Sequence, residues 1–206
     1  MMNNKDLESP VSADEALARL MAGNERFMRG EPTNAHPPSE VLANLVKGQR
    51  PYAAILGCSD SRVPPELLFD AAFGDLFIIR VAGNVFSPEV AGSLQYAGVH
   101  LNTQLLMVLG HEGCGAVQAA LAAKFEGARE RSRIESLLQN ILPGLDQIDA
   151  RLTPQQRTAR AVEANVRWSM RQITESPEGR ARAAQGRLKV VGAVCEIATG
   201  RVRLLA

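Results

Sequence analysis

Cysteine is scarce in this chain of 206 residues, which has only Cys58, Cys114 and Cys195. Three thiols cannot all pair with one another, and so few cannot staple a chain of this length, so free thiols or metal ligands are expected rather than a disulfide framework. An excess of charge of one sign is also missing. The 23 Lys and Arg against 22 Asp and Glu leave a formal net charge of +1, which supplies no overall field for a nucleic-acid partner or an anionic membrane surface. Long apolar runs are absent as well. The longest stretch without Asp, Glu, Lys or Arg, Val90 to His111, is interrupted by Gly92, Gln95, Gly98, His100, Asn102 and Gln104, too polar to span a bilayer. Met1 to Pro10 is polar and mixed in charge and shows no apolar core of a secretory signal, so a cytoplasmic protein is expected.

What is present is ordinary for a globular chain, with 46% hydrophobic and 22% charged residues. One domain over residues 1–206 is the expectation. Leu17, Leu20, Met21, Phe27 and Met28 fall at helical spacing behind Ser12 or Asp14, which predicts an amphipathic helix over 12–29. The proline-rich stretch Glu31 to Ser39 reads as a loop, followed by a short helix through Val41, Leu42, Leu45 and Val46. Three apolar runs without alternation, Tyr52 to Leu56, Leu76 to Ile79 and Leu105 to Leu109, read as strands covered on both faces. A helix over Pro88 to Leu101 separates the last two. Strand and helix in turn predict an α/β fold with a mainly parallel central sheet. Leu188 to Ile197 and Val202 to Leu205, joined at Thr199 and Gly200, read as a strand, turn and strand near its edge. From Ala128 to Gln185 the chain is polar and helical in flavour, with boundaries at Pro143, Pro154 and Pro177. Nine basic against three acidic residues from Arg151 to Lys189 fit a solvated helix face or an oligomer contact better than a nucleic-acid patch.

Chemistry is concentrated in two strings, Cys58-Ser59-Asp60-Ser61-Arg62 after the first strand and His111-Glu112-Gly113-Cys114 after the third. Strand carboxyl ends share one edge of a parallel sheet, so the two strings can meet there. They offer two thiols, an imidazole and a carboxylate, a donor set that suits zinc. Magnesium and calcium prefer oxygen, and an iron–sulfur cluster usually takes four thiolates. Cys114 also opens a helix whose positive end would lower its thiol pKa. With Asp60 on the metal the site is saturated. Moving that carboxylate to Arg62 opens a position for water, acidified by the cation toward a pKa of about 7.

The strings GCSDSRVPPE, GDLFIIRVAGN, GSLQYAGVHL and VLGHEGCGAV resemble the β-class carbonic anhydrases. The likeness extends from GNERFMRG and, more weakly, to VGAVCEIATGRV, about two-thirds of the chain. It implies reversible hydration of carbon dioxide to bicarbonate and a proton, with zinc-bound hydroxide as nucleophile. Carried over by position, Cys58, His111 and Cys114 are zinc ligands, Asp60 is the exchangeable fourth ligand or water acceptor, and Arg62 is its partner in a gating dyad. Gln49 takes the position of a substrate-side amide able to donate to an oxygen of bicarbonate. The resemblance further implies a dimer or tetramer whose N-terminal helices wrap a neighbouring subunit. It divides the chain into a helical arm (1–50), a zinc-site core (51–125), a helical region (126–187) and C-terminal strands (188–206). Some members bind a second, inhibitory bicarbonate through Trp, Arg and Tyr. Here Ile55 and Cys195 stand at two of those positions and only Arg80 remains, so that inhibition is expected to be weak or absent. Two other readings of the same residues are a zinc hydroxide acting on carbonyl sulfide or carbon disulfide, and a noncatalytic zinc module.

Overall fold

A computed structural model describes residues 10–34 and 39–206. The strands are β1 (Ala53–Gly57), β2 (Leu76–Arg80), β3 (Leu105–His111), β4 (Lys189–Cys195) and β5 (Val202–Leu204). They form one sheet in the order β2-β1-β3-β4-β5, parallel except for the antiparallel β4–β5 pair. Every residue of β1 and β3 is buried, as their unbroken apolar sequences require. The expectation that β2 is covered on both faces is corrected. As the edge strand it is only part-buried along Leu76–Ile79, and Arg80 is exposed.

Helix α1 (Ala13–Arg29) begins at Ser12, whose side chain accepts from the N–H of Glu15, and stops at Gly30 in the left-handed conformation. Its buried residues, Ala16, Leu20, Gly23 and Asn24, pack on its own chain. Helix α2 (Ser39–Leu45) has no buried residue, and the loop before it lies partly outside the described residues. A one-turn helix, α3 (Pro65–Leu68), follows β1, and α4 (Pro88–His100) joins β2 to β3 behind a Ser87 cap. After β3 come α5 (Gly115–Glu126), α6 (Ser132–Ile141), α7 (Pro154–Glu175) and α8 (Pro177–Ala184). Pro154 and Pro177 each open a helix, where the missing N–H has no intrahelical partner to lose. Pro143 lies in a 3-10 turn, Leu142–Leu145. Helix α7 carries a full capping box between Thr153 and Gln156 and lays Ala161, Val162, Val166 and Ile173 into the core. Among the described residues no helix is long and apolar enough to cross a membrane.

Candidate metal centre

The parallel sheet brings the carboxyl ends of β1 and β3 side by side, with Gly57 opposite Leu109. One residue beyond β1 is Cys58, and the last residue of β3 is His111. Pairing of His111 with Cys195 on β4 carries β3 past the apolar run to its histidine. The chain then turns through Gly113, whose φ of +63° is left-handed and suits only glycine without strain. That turn places Cys114 at the start of α5. The three donors are buried, and Cys58 Sγ, Cys114 Sγ and a ring nitrogen of His111 all lie within 4.8 Å of one another. The sulfurs are 4.0 Å apart.

Each donor is oriented by its surroundings. His111 Nδ1 meets the carbonyl of Glu112 at 3.0 Å, which fixes that nitrogen as the donor and leaves Nε2 with a free lone pair. Nε2 is buried and has no hydrogen-bond partner. Cys58 Sγ accepts the N–H of Gly83 at 3.4 Å. Contact with Cys114 is the main reason the Cys58 pKa falls well below the ordinary thiol value, against a burial effect of opposite sign, with His111 and Gly83 adding to the fall. The Cys114 thiol is pushed up, first by Cys58 and then by burial. The expected lowering at the start of α5 is present through the backbone of Val117 and Ala116, but the neighbouring sulfur outweighs it. For His111, burial works against the charged ring, yet the Cys58 sulfur reverses the balance and its pKa is raised. Two thiols and an imidazole thus compete for protons that a bound cation would displace.

Asp60 is not within this trio. Its carboxylate is held by Arg62 through Nε to Oδ1 at 2.9 Å and Nη2 to Oδ2 at 2.7 Å, and the Arg62 N–H adds a bond to Oδ1 at 3.0 Å. Arg62 is therefore the leading cause of an Asp60 pKa well below the usual carboxylate range. Oδ2 nevertheless stands 3.8 Å from His111 Nε2, at the mouth of the cluster. Gln49 is not brought there. It is exposed in the loop entering β1, two residues before Pro51, whose carbonyl accepts from Thr103 at the amino end of the sheet, the end opposite the cluster.

Three contributors were not singled out as site residues in the sequence. Arg80 donates from Nε to the carbonyl of Cys58 at 2.9 Å and from Nη2 to that of Asp60 at 2.5 Å, which clamps the Cys58 loop. Its expected companions offer it no polar group, since Ile55 is fully buried and the Cys195 thiol is buried with its pKa raised to about 11 by desolvation. Gly83 and Glu112 act through the backbone. The turn signal Ala82-Gly83-Asn84 after a strand is visible in the sequence, but its direction toward Cys58 is not.

A nitrogen and sulfur donor set with an orphaned imidazole nitrogen, at the carboxyl edge of a parallel sheet, marks an α/β protein whose side chains are grouped as metal ligands are. The sequence profile of the carbonic anhydrase family matches residues 53–202. Carbonic anhydrase 2 of Mycobacterium tuberculosis is 37% identical over 198 residues, 95% of this chain and 93% of that protein. Among solved structures, the β-carbonic anhydrase CcaA superposes with a TM-score of 0.75 at 26% identity, covering 92% of this chain and 95% of the other. A tetrameric β-carbonic anhydrase of the ascomycete Sordaria macrospora gives 0.75 at 25% identity over 92% of this chain and 96% of the other. The chain belongs to the β-carbonic anhydrase family and is a carbonic anhydrase.

Proposed function

We propose that this carbonic anhydrase catalyses the reversible hydration of carbon dioxide to bicarbonate and a proton at a zinc ion held by Cys58, His111 and Cys114, with Asp60 and Arg62 controlling the fourth position. The observation that carries the reading is the convergence of two thiols on a buried, unpartnered imidazole nitrogen. Their chemistry fits zinc, and the 4.0 Å between the sulfurs is close to the roughly 3.8 Å edge of a tetrahedron with Zn–S of about 2.3 Å. When bound, zinc supplies a Lewis acid that brings the pKa of coordinated water toward about 7.

The chain does the positioning. Arg62 holds both oxygens of Asp60 and keeps the group ionised at neutral pH. Oδ2, facing His111 Nε2, accepts a hydrogen bond from the reacting water and orients its lone pair toward carbon dioxide. The same carboxylate is the group that closes the site when it leaves Arg62. Gln49, remote from the cluster of its own chain, serves a neighbouring subunit's site, where its amide donates to an oxygen of bicarbonate. The reading includes a homo-oligomer, dimer or tetramer, in the cytoplasm. Exposed apolar side chains such as Tyr96 and Val99 support the first, and three free cysteines support the second.

Asp60→Asn tests the dyad. It keeps the volume and the three zinc donors but loses the charge paired with Arg62. The expected outcome in stopped-flow carbon dioxide hydration is a fall of roughly a hundredfold or more, with zinc content close to that of the unsubstituted protein. Full activity from pH 6 to 9 would remove Asp60 from the mechanism.

A further inference from the structure

Two polar side chains of α7 are buried beneath the metal centre, Asn165 at 1% and Ser169 at 0% exposure. Four residues apart, they share one face of the helix. Each donates to a carbonyl of the turn that follows β2: Asn165 Nδ2 to Gly83 at 2.8 Å, and Ser169 Oγ to Asn84 at 2.9 Å. The N–H of Gly83 in turn reaches Cys58 Sγ at 3.4 Å. Gly83 has a φ of +69°, and a Cβ there would lie 2.8 Å from Ile141 Cδ1 and 3.1 Å from Ala116 Cβ. The turn is therefore wedged between α6 and the first residues of α5, beside Cys114. Asn165 Oδ1 is buried without a partner. An apolar side chain would leave no such orphan, so packing alone does not favour an amide here, whereas its N–H donor has a use.

We propose that Asn165 and Ser169 are positioning residues for the metal centre: by holding two consecutive carbonyls they aim the Gly83 N–H at the Cys58 sulfur and set how strongly that thiolate donates to the metal. A thiolate that accepts a hydrogen bond has part of its lone-pair density withdrawn and its position fixed. Without the two anchors only packing holds the turn, the aim of the Gly83 N–H relaxes, and the sulfur becomes a stronger but less well-placed donor. The inference rests on Cys58 being a metal ligand.

Cobalt(II)-substituted protein tests it, read by the sulfur-to-cobalt charge-transfer band, together with zinc retention against a competing chelator. Asn165→Ala should move the band to longer wavelength and weaken zinc retention by about tenfold. Ser169→Ala should do the same to a smaller degree, and it carries the test if the first variant does not fold. Val166→Ala, a cavity variant of the fully buried neighbour that packs against Gly110 of β3, should loosen α7 while leaving the band in place. Bands and retention in Asn165→Ala and Ser169→Ala that match those of Val166→Ala would reduce the two residues to core packing. A cobalt protein with no thiolate band before any substitution would overturn the zinc reading and this inference together, which separates that failure from a band that is present and unmoved.

Discussion

Asp70, at the end of α3, is an acid placed where burial alone would push its pKa up. Its partners reverse the effect: Arg26 Nε at 2.6 Å, the N–H and hydroxyl of Thr33 at 2.9 and 2.8 Å, and the N–H of Asn34 at 3.0 Å. The result is a pKa of about 2. Because the folded value lies below the unfolded value of about 3.9, the stabilisation, about 2 kcal/mol, is fully present above pH 5 and is lost as the pH falls through 4 toward 2. Asp70→Asn should therefore lower unfolding stability by about 2 kcal/mol at pH 7 and much less at pH 2, as read by urea denaturation at the two values. Equal losses at both would mean that ionisation is not what the site uses. Cys58, His111 and Cys114 were legible in the sequence because thiol and imidazole are rare here and stand directly after apolar runs. Asp70, Asn165 and Ser169 were not, since only tertiary packing decides which lone polar side chain is buried and what it meets, whether its neighbours are apolar, as around Asp70, or polar, as along α7.

At the scale of elements, the sequence located the strands to within a residue or two, since buried parallel strands have a hydrophobic signature that survives without alternation. It missed α3, a single turn too short for periodicity, and overstated the covering of β2, because position in the sheet is not written in a strand's own residues. Helix α1 shows what ties a peripheral element to such a core. Asn24 donates to the carbonyls of Leu68 and Gly200, both at 2.9 Å, and accepts the N–H of Val202 at 2.9 Å. One side chain thus joins α1, α3 and the turn before β5. Asn24→Ala removes the partner of three backbone groups, two of these bonds buried and one part-buried, and at about 1 kcal/mol for each the expected loss is about 3 kcal/mol. Chemical denaturation checks this. A loss within 0.5 kcal/mol, on the order of a surface substitution, would show that solvent replaces those bonds.

The whole molecule is unevenly finished. Tyr96 and Val99 on α4 are 48% and 61% exposed, and Phe73 and Leu67 are exposed nearby in sequence to β2 and α3. Phe77 on the edge strand stacks with Tyr96, and the Tyr96 ring is tilted against His100. Helix α2, with Val41 and Leu42 exposed, meets the turn before β2 through Leu45 at Gly74. The proposed oligomer would cover exposed apolar side chains such as Tyr96 and Val99 beside the edge strand. Light scattering should give a particle of at least twice the 22.2 kDa chain mass, and Val99→Glu should lower it by placing a charge in the contact. A monodisperse monomer at micromolar concentration would contradict the oligomer and leave Gln49 without a site to serve.

The most direct measurement is the rate of carbon dioxide hydration as zinc is titrated back into metal-stripped, folded protein. The rate should rise in proportion to bound zinc and reach its plateau at one ion per chain, with no rise in a Cys58→Ser protein at the same zinc concentrations. A full rate in the stripped protein, or a saturated site with no hydration, would contradict a mechanism built on Cys58, His111 and Cys114.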